Sequence, residues 1–272
     1  MIHNIVNLLE KPTEFDFMPT LKTYVLDTVE RDTLRPAVIV FPGGGYEGCS
    51  YREGERVALA YNSAGFHSFV VYYRCAPHRH PAPLYDAAAA VKYVRNHAKE
   101  WKIDPNMIVV AGFSAGGHLA ASISTLWNSE KFFSHEEITS EIYKPNASIL
   151  SYPVITSGEK AHRGSFDNLL GKDAPQDLVE FMSLENRVSE NTPPAFLWHT
   201  FDDKGVPCEN SLYYAEALSK FGVPCELHIY PVGGHGQSRT TRETIWCVSN
   251  FRRKYNWLNE SCEWLVDLFE LA

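Results

Sequence analysis

The residues best suited to chemistry stand in Gly112-Phe113-Ser114-Ala115-Gly116, a G-x-S-x-G pattern. A serine hydroxyl at its ordinary pKa is a weak nucleophile, so it needs an exposed position and a neighbouring base. With Gly and Ser each near 7% of residues, chance alone yields about one such match per ten chains of this length. The surroundings lift it above chance. The motif follows the apolar run Met107–Ala111, which reads as a strand, and leads into Gly116-Gly117-His118, the start of a small-residue helix from Ser114 to Trp127. A sharp strand-to-helix turn needs small neighbours, raises the serine above the backbone and aims free helix N–H groups at developing negative charge. A nucleotide-binding loop is the competing reading of these glycines.

The partners decide against it. On a parallel sheet the order should be serine, then a carboxylate, then histidine, each just beyond a strand. After the strand-like Ala195–Thr200 comes Asp202-Asp203-Lys204-Gly205-Val206-Pro207. After Cys225–Tyr230 comes Val232-Gly233-Gly234-His235-Gly236. His235, among glycines that let a loop swing over the serine, is the expected base. Asp202 or Asp203 is the acid; adjacent residues leaving a strand face opposite ways, so only one can meet it. Pro42-Gly43-Gly44-Gly45-Tyr46 ends another buried run, Ala37–Phe41, where donors for a tetrahedral oxyanion should lie. The N–H groups of Gly44, Gly45 and Ala115 are the expected oxyanion hole.

Most of the other ten histidines read as solvated or packed. His118 falls inside the helix that follows the serine and reads as packed, and His199 falls within a strand and points sideways. His78-Arg79-His80 has the spacing of a metal pair but lacks an acidic or cysteine partner, so no metal is expected. No phosphate-loop or cofactor signature appears, and no cofactor is implied.

The elements that must hold these residues alternate. Strands are expected at Leu21–Leu26, Ala37–Phe41, Phe66–Tyr73, Met107–Ala111, Ala147–Tyr152, Ala195–Thr200 and Cys225–Tyr230. Helices are expected at Glu53–Ala64, Asp86–Glu100, Ser114–Trp127, Glu209–Phe221 and about Thr240 to Tyr255, with a weak one near Gln176–Leu184. Short, almost wholly apolar strands separated by helices mean βαβ crossovers and a mostly parallel sheet covered on both faces. The expectation is one α/β domain over residues 1–272, with 153–194 as an insertion above the sheet.

Composition limits the partners. The 272 residues carry 25 basic and 33 acidic side chains, a net charge of -8, with no basic block beyond Arg252-Arg253-Lys254. Nucleic acid and anionic membranes demand a concentrated positive face, so neither is expected. No apolar run reaches the 18 or so residues a membrane-spanning helix requires, and no export signal is visible at the amino terminus. A cytoplasmic enzyme is expected, with the six cysteines reduced rather than bridged.

Taken together, Phe41–Tyr46, Tyr73-Arg74-Cys75-Ala76-Pro77, Pro81–Asp86, Gly112–Gly117, His199–Pro207 and Gly234-His235 resemble the α/β-hydrolases of the acetyl esterase and hormone-sensitive-lipase-like group. The resemblance is closest to the bacterial carbohydrate (xylan) acetyl esterases. It spans residues 41 to 236. The H-x-x-x-D-x-x-V-P pattern of His199–Pro207 selects Asp203 as the acid, and Asp202 is left to face solvent or cap the turn. Asp86 is implied to be structural and reads as a helix cap. One departure is Pro42, which stands where the group usually has histidine, so only the glycine backbone carries over. The other is residues 258–272, whose apolar positions fit a final helix packed on its own domain, with a homodimer contact as the alternative.

The resemblance implies a serine carboxylesterase of catalytic residues Ser114, Asp203 and His235. Its implied substrate is a short-chain ester, chiefly acetyl, of a carbohydrate such as an acetylated xylo-oligosaccharide. An amidase, formamidase or peptidase would share the triad. A non-catalytic ligand-binding relative usually loses Ser, His or Asp, and none is lost here.

Overall fold

The computed structural model describes residues 1–27, 33–244 and 255–271. Eight strands form one sheet: β1 (Ile5–Asn7), β2 (Thr20–Tyr24), β3 (Arg35–Phe41), β4 (His67–Tyr72), β5 (Ile103–Phe113), β6 (Ala147–Ser151), β7 (Ala195–Thr200) and β8 (Cys225–Tyr230). Their order across the sheet is β1-β2-β4-β3-β5-β6-β7-β8. β2 runs antiparallel to both its neighbours, and every pair from β4 to β8 is parallel. This is the mostly parallel sheet of an α/β-hydrolase.

The sheet separates two apolar layers because successive strand residues point to opposite faces. Ile39 and Phe41 of β3 join one layer, and Val38 and Val40 join the other. Helices α2 (Ala82–Asn96), α3 (Ala98–Trp101), α4 (Ala115–Leu126) and α8 (Glu209–Lys220) line the first layer, whereas α1 (Glu55–Ser63) and α9 (Trp257–Leu268) cover the second. Strands buried on both sides need no polar alternation, which is why their apolar runs were readable.

Some boundaries moved. The helix expected at Asp86 starts four residues earlier, at Ala82, with Pro83 in its first turn, where the missing N–H costs nothing. Asp86 therefore caps nothing. It lies inside α2 and is 1% exposed, accepting from the backbone N–H and guanidinium of Arg74 at 2.7–2.9 Å. β5 begins at Ile103, with a register shift between its pairings to Arg35 and Ala37 around Asp104-Pro105. The short helix α5 (His135–Thr139) was not anticipated. Within 153–194, α6 (Arg163–Leu170) was also unanticipated, whereas α7 (Gln176–Phe181) matches the weak helix. That segment packs Phe166, Leu169, Met182 and Leu184 into the first apolar layer. Of the helix expected from 240 to 255, residues 245–254 lie outside the described residues; 241–244 form turns. Helix α9 packs Trp257 and Leu265, both 0% exposed, beneath Phe196 and Trp198 of β7. The five described cysteines are free thiols.

Candidate active site

β3 and β5 are neighbours, but the chain leaves β3 toward β4 on one side and leaves β5 toward β6 on the other. Such a reversal opens a crevice at the carboxyl ends of the two strands. The Gly43–Gly45 loop leaves β3 there, and Ser114 leaves β5 beside it.

The turn at Ser114 is enforced by close backbone approach. A methyl group on Gly116 would overlap the carbonyl oxygens of Phe41 and Pro42, and one on Gly112 would overlap the Gly116 carbonyl. Ser114 itself adopts φ 53° and ψ -118°, a region that costs roughly 1–3 kcal/mol for a non-glycine residue. Backbone bonds hold it there: its N–H donates to Ser151 O, and its carbonyl accepts from Val154 and His118 N–H, all at 3.0–3.1 Å.

The three residues chosen from sequence meet. Ser114 Oγ lies 2.8 Å from His235 Nε2, and His235 Nδ1 lies 2.7 Å from Asp203 Oδ2. A carboxylate only accepts, so Nδ1 carries the proton and Nε2 is left to accept from the serine hydroxyl. Asp203 is 5% exposed. Its Oδ1 also accepts from the N–H groups of Gly205 and Val206, both at 2.9 Å. Burial alone would raise its pKa, but the nearby His199 imidazole and hydrogen bonds from His235 and the Val206 N–H hold the carboxyl well below the usual range.

The structure places Gly44 and Gly45 in the loop after β3 and Ala115 directly after Ser114. Gly44 and Gly45 line a cleft of about 320 Å³ with Ser114, His235 and His162. Ala115 opens α4, so its N–H has no intrahelical acceptor. Gly43 differs from its neighbours: its N–H donates to Glu53 Oε2 at 2.9 Å, whereas those of Gly44 and Gly45 have no acceptor among the described residues.

Other residues of the site escaped the sequence reading. Glu53, 3% exposed, takes the Gly43 N–H on one oxygen and the Tyr152 hydroxyl on the other at 2.6 Å. The Tyr152 oxygen accepts from Ser238 N–H at 2.8 Å, and its ring meets the His235 ring edge-on at 5.1 Å. This chain joins the glycine loop to the histidine loop. Burial, with Glu53 beside it, raises the Tyr152 pKa far above the ordinary phenol. Arg52 donates to the carbonyls of Gly236 and Thr244. Asp202 is exposed and accepts from Gly234 N–H at 2.8 Å, so it caps the histidine loop rather than its own turn.

His199 is no bystander either. It is wholly buried, donates from Nε2 to Val206 O at 2.9 Å, and brings that nitrogen to 3.4 Å from Asp203 Oδ2. Its spacing of four residues before Asp203 was the available signal. His162 lies in the insertion, where its Nδ1 accepts from Ser165 N–H, and no pattern in its neighbours marks it. His118 is packed as expected, between the Tyr46 hydroxyl and Met182 O. Among the described residues no cluster of His, Cys, Asp or Glu could hold a metal, and no helix is long and apolar enough to cross a membrane.

The chain is similar to known hydrolases. A model of the BD-FAE family matches residues 24–218. Endo-1,4-beta-xylanase B of Butyrivibrio fibrisolvens is 37% identical over 227 residues, 82% of this chain and 35% of that protein. An acetylxylan esterase of Xylanibacter ruminicola is 39% identical over 206 residues, 74% of this chain and 40% of that protein. The chain therefore spans between a third and two fifths of these curated relatives. Among solved structures, an acetyl ester-xyloside bifunctional hydrolase from Caldicellulosiruptor lactoaceticus shares 40% identity with a TM-score of 0.83, covering 98% of this chain and 96% of that one.

Proposed function

The chain belongs to the BD-FAE family of α/β-hydrolases, and we propose from that premise that it is a serine carboxylesterase removing short acyl groups, chiefly acetyl, from a carbohydrate. The observation that carries the chemistry is the unbroken chain from Ser114 Oγ through His235 to Asp203, at 2.8 and 2.7 Å. The carbohydrate part draws support from relatives that act as an acetylxylan esterase and an acetyl ester-xyloside hydrolase.

In this reading Ser114 Oγ attacks the ester carbonyl while its proton passes to His235 Nε2. Asp203 keeps the imidazole in the tautomer that can receive that proton and stabilises the imidazolium that results. In this reading the tetrahedral oxyanion is met by the N–H groups of Gly44, Gly45 and Ala115, at the loop after β3 and the first turn of α4 beside Ser114. Glu53 removes Gly43 from that set and so fixes the loop's orientation. Collapse breaks the C–O bond to the alcohol, which leaves with the proton from His235. Water, deprotonated by the same imidazole, then releases the acid and restores the serine.

The test is a p-nitrophenyl ester series beside an amide and an N-formyl substrate, with a fluorophosphonate to label Ser114. Acetyl and propionyl esters are expected to exceed octanoyl in kcat/KM, because the cleft at Ser114 holds only about 320 Å³. Comparable rates for acetyl and octanoyl esters, preference for the amide, or an unlabelled Ser114 would each refute the corresponding part.

A further inference from the structure

A second groove of about 300 Å³ lies on the far side of the glycine loop. The loop is a narrow wall, closed by Ser50 N–H to Gly43 O at 2.8 Å and Glu47 N–H to Gly44 O at 3.0 Å. Gly44, Gly45 and Ser50 line the cleft at Ser114, whereas Glu47, Gly48 and Cys49 line the groove. Tyr51 stands at the rim, between two residues of the cleft, and is 78% exposed. An aromatic ring left this bare in a folded chain has given up burial worth about 1.5–3 kcal/mol.

The opposite wall comes from a remote part of the chain. Phe15, 49% exposed, and Phe17 stand over His78, at 4.9 and 5.8 Å between ring centroids. His78 is itself fixed: Nδ1 donates to Cys75 O at 3.1 Å, and Nε2 accepts from the Thr13 hydroxyl at 2.8 Å. The H-x-H pair thus supplies one histidine that pins the Phe15 turn in place. Tyr72, 5.9 Å from Tyr51, completes the aromatic lining.

We infer that this groove is a subsite for neutral pyranose rings on the alcohol side of the ester. The inference rests on the esterase reading for its link to Ser114. Sugar rings carry C–H faces that sit well on the negative face of an aromatic ring, and they carry hydroxyls that need acceptors at the edge. Glu47, exposed in the lining, is such an acceptor. No Lys or Arg is among the described residues that line the groove, and the nearby Lys22 Nζ is held over the Tyr72 ring at 5.1 Å, so an anionic ligand finds little positive charge there. A long acyl chain would gain most from an enclosed tunnel, not from this open trough with a carboxylate at its edge.

The test uses unesterified xylotetraose as the probe, titrated calorimetrically into the Ser114→Ala protein alone and with Tyr51→Ala or Phe15→Ala added. Saturable binding is expected, weakened roughly tenfold by removal of Tyr51, less by removal of Phe15, and retained in Tyr51→Trp. In the Ser114-containing protein, Tyr51→Ala should lower kcat/KM for acetylated xylo-oligosaccharide through KM while p-nitrophenyl acetate turnover stays unchanged. Absence of saturable binding, equal binding by the Tyr51→Ala protein, or parallel losses on both esters would overturn the inference. Selective loss of p-nitrophenyl octanoate turnover would assign the groove to acyl chains and overturn it too. Failure of the unaltered protein to hydrolyse p-nitrophenyl acetate would instead count against the esterase reading, and the titration would still judge the groove.

Discussion

The turn that presents Ser114 and the loop that presents His235 are built in opposite ways. At Ser114, backbone atoms of β3, β5 and α4 are so close that Gly112 and Gly116 admit no side chain. The serine has one place to go. Around His235 the close approaches are to side chains rather than backbone: a methyl on Gly233 would press on Thr200 Cγ2 at 2.8 Å and one on Gly205 would touch His235 at 3.3 Å, while one on Gly234 would meet nothing within 4 Å. The loop is instead tied by single bonds to distant residues: Asp202 to Gly234 N–H, the Thr200 hydroxyl to Gly234 O, Arg52 to Gly236 O, and Tyr152 to Ser238 N–H. Local sterics hold the serine, and long-range hydrogen bonds hold the histidine. Damage to the first should be all or nothing, whereas damage to the second should be graded.

The largest effect tests the chemistry rather than the scaffold. Ser114→Ala should lower ester turnover by roughly 10⁶ with the fold intact. Retention of even a tenth of wild-type kcat in a pure preparation would remove Ser114 from the proposed role. Next comes Asp203→Asn, which keeps the shape but favours the wrong imidazole tautomer and should cost about 10⁴ in kcat.

The graded response should appear in the ties. Arg52→Met releases the Gly236 carbonyl, and a shift of the imidazole by an ångström should lower kcat by up to about 10²-fold. Circular dichroism and labelling by a fluorophosphonate would show whether the site otherwise stands. Asp202→Asn retains an acceptor oxygen for Gly234 N–H and should stay within about tenfold of wild type, with Asp202→Ala slower than the asparagine variant. If Asp202→Asn proves more damaging than Asp203→Asn, the two carboxylates have exchanged roles.

The smallest effect concerns the elbow helix and appears in stability. His118 is 1% exposed, and burial pushes its pKa down to about 4. Its unfolded value is about 6.5. Between those limits the unfolded chain binds the proton and the folded chain does not, so stability is full above 6.5 and falls as pH drops toward 4. The slope from this group is about 1.4 kcal/mol per pH unit. Urea unfolding of His118→Gln from pH 7 to 4.5 should show a slope flatter by about that amount; an unchanged slope would mean that His118 accepts a proton in the folded protein.

The same contrast explains what could be read in advance. β7 was legible to the residue because an almost wholly apolar run on a parallel sheet has few other places to go, and β8, at the sheet edge, because Glu226 and His228 alternate with Leu227 and Ile229. Helix α2 was placed late because Pro81-Ala82-Pro83 looks like a breaker, although proline is welcome in a first turn. Asp86 was misread for the same reason, since its partner Arg74 belongs to the preceding loop. Helix α6 carries few apolar residues and is held by Phe166 and Leu169 against the first layer, a contact with no local signature.

By itself the sequence determined the alternation of strands and helices, the elbow at Ser114, and a carboxylate pair and a histidine each just beyond a strand; the family resemblance, through H-x-x-x-D-x-x-V-P, then singled out Asp203. Each of the first is either a local steric demand or a short-range pattern: small residues where backbones cross and apolar runs where both faces are covered. Only the tertiary structure decided that Glu53 and Tyr152 would join the two loops, that Asp202 would hold the loop of its neighbour's partner, and that Phe15 and Tyr51 would line one groove. These pairs are separated by 99, 32 and 36 positions in the chain. Nothing local distinguishes such a residue from any other tyrosine, aspartate or phenylalanine, because its role exists only once the sheet has brought a distant residue within hydrogen-bonding or stacking reach.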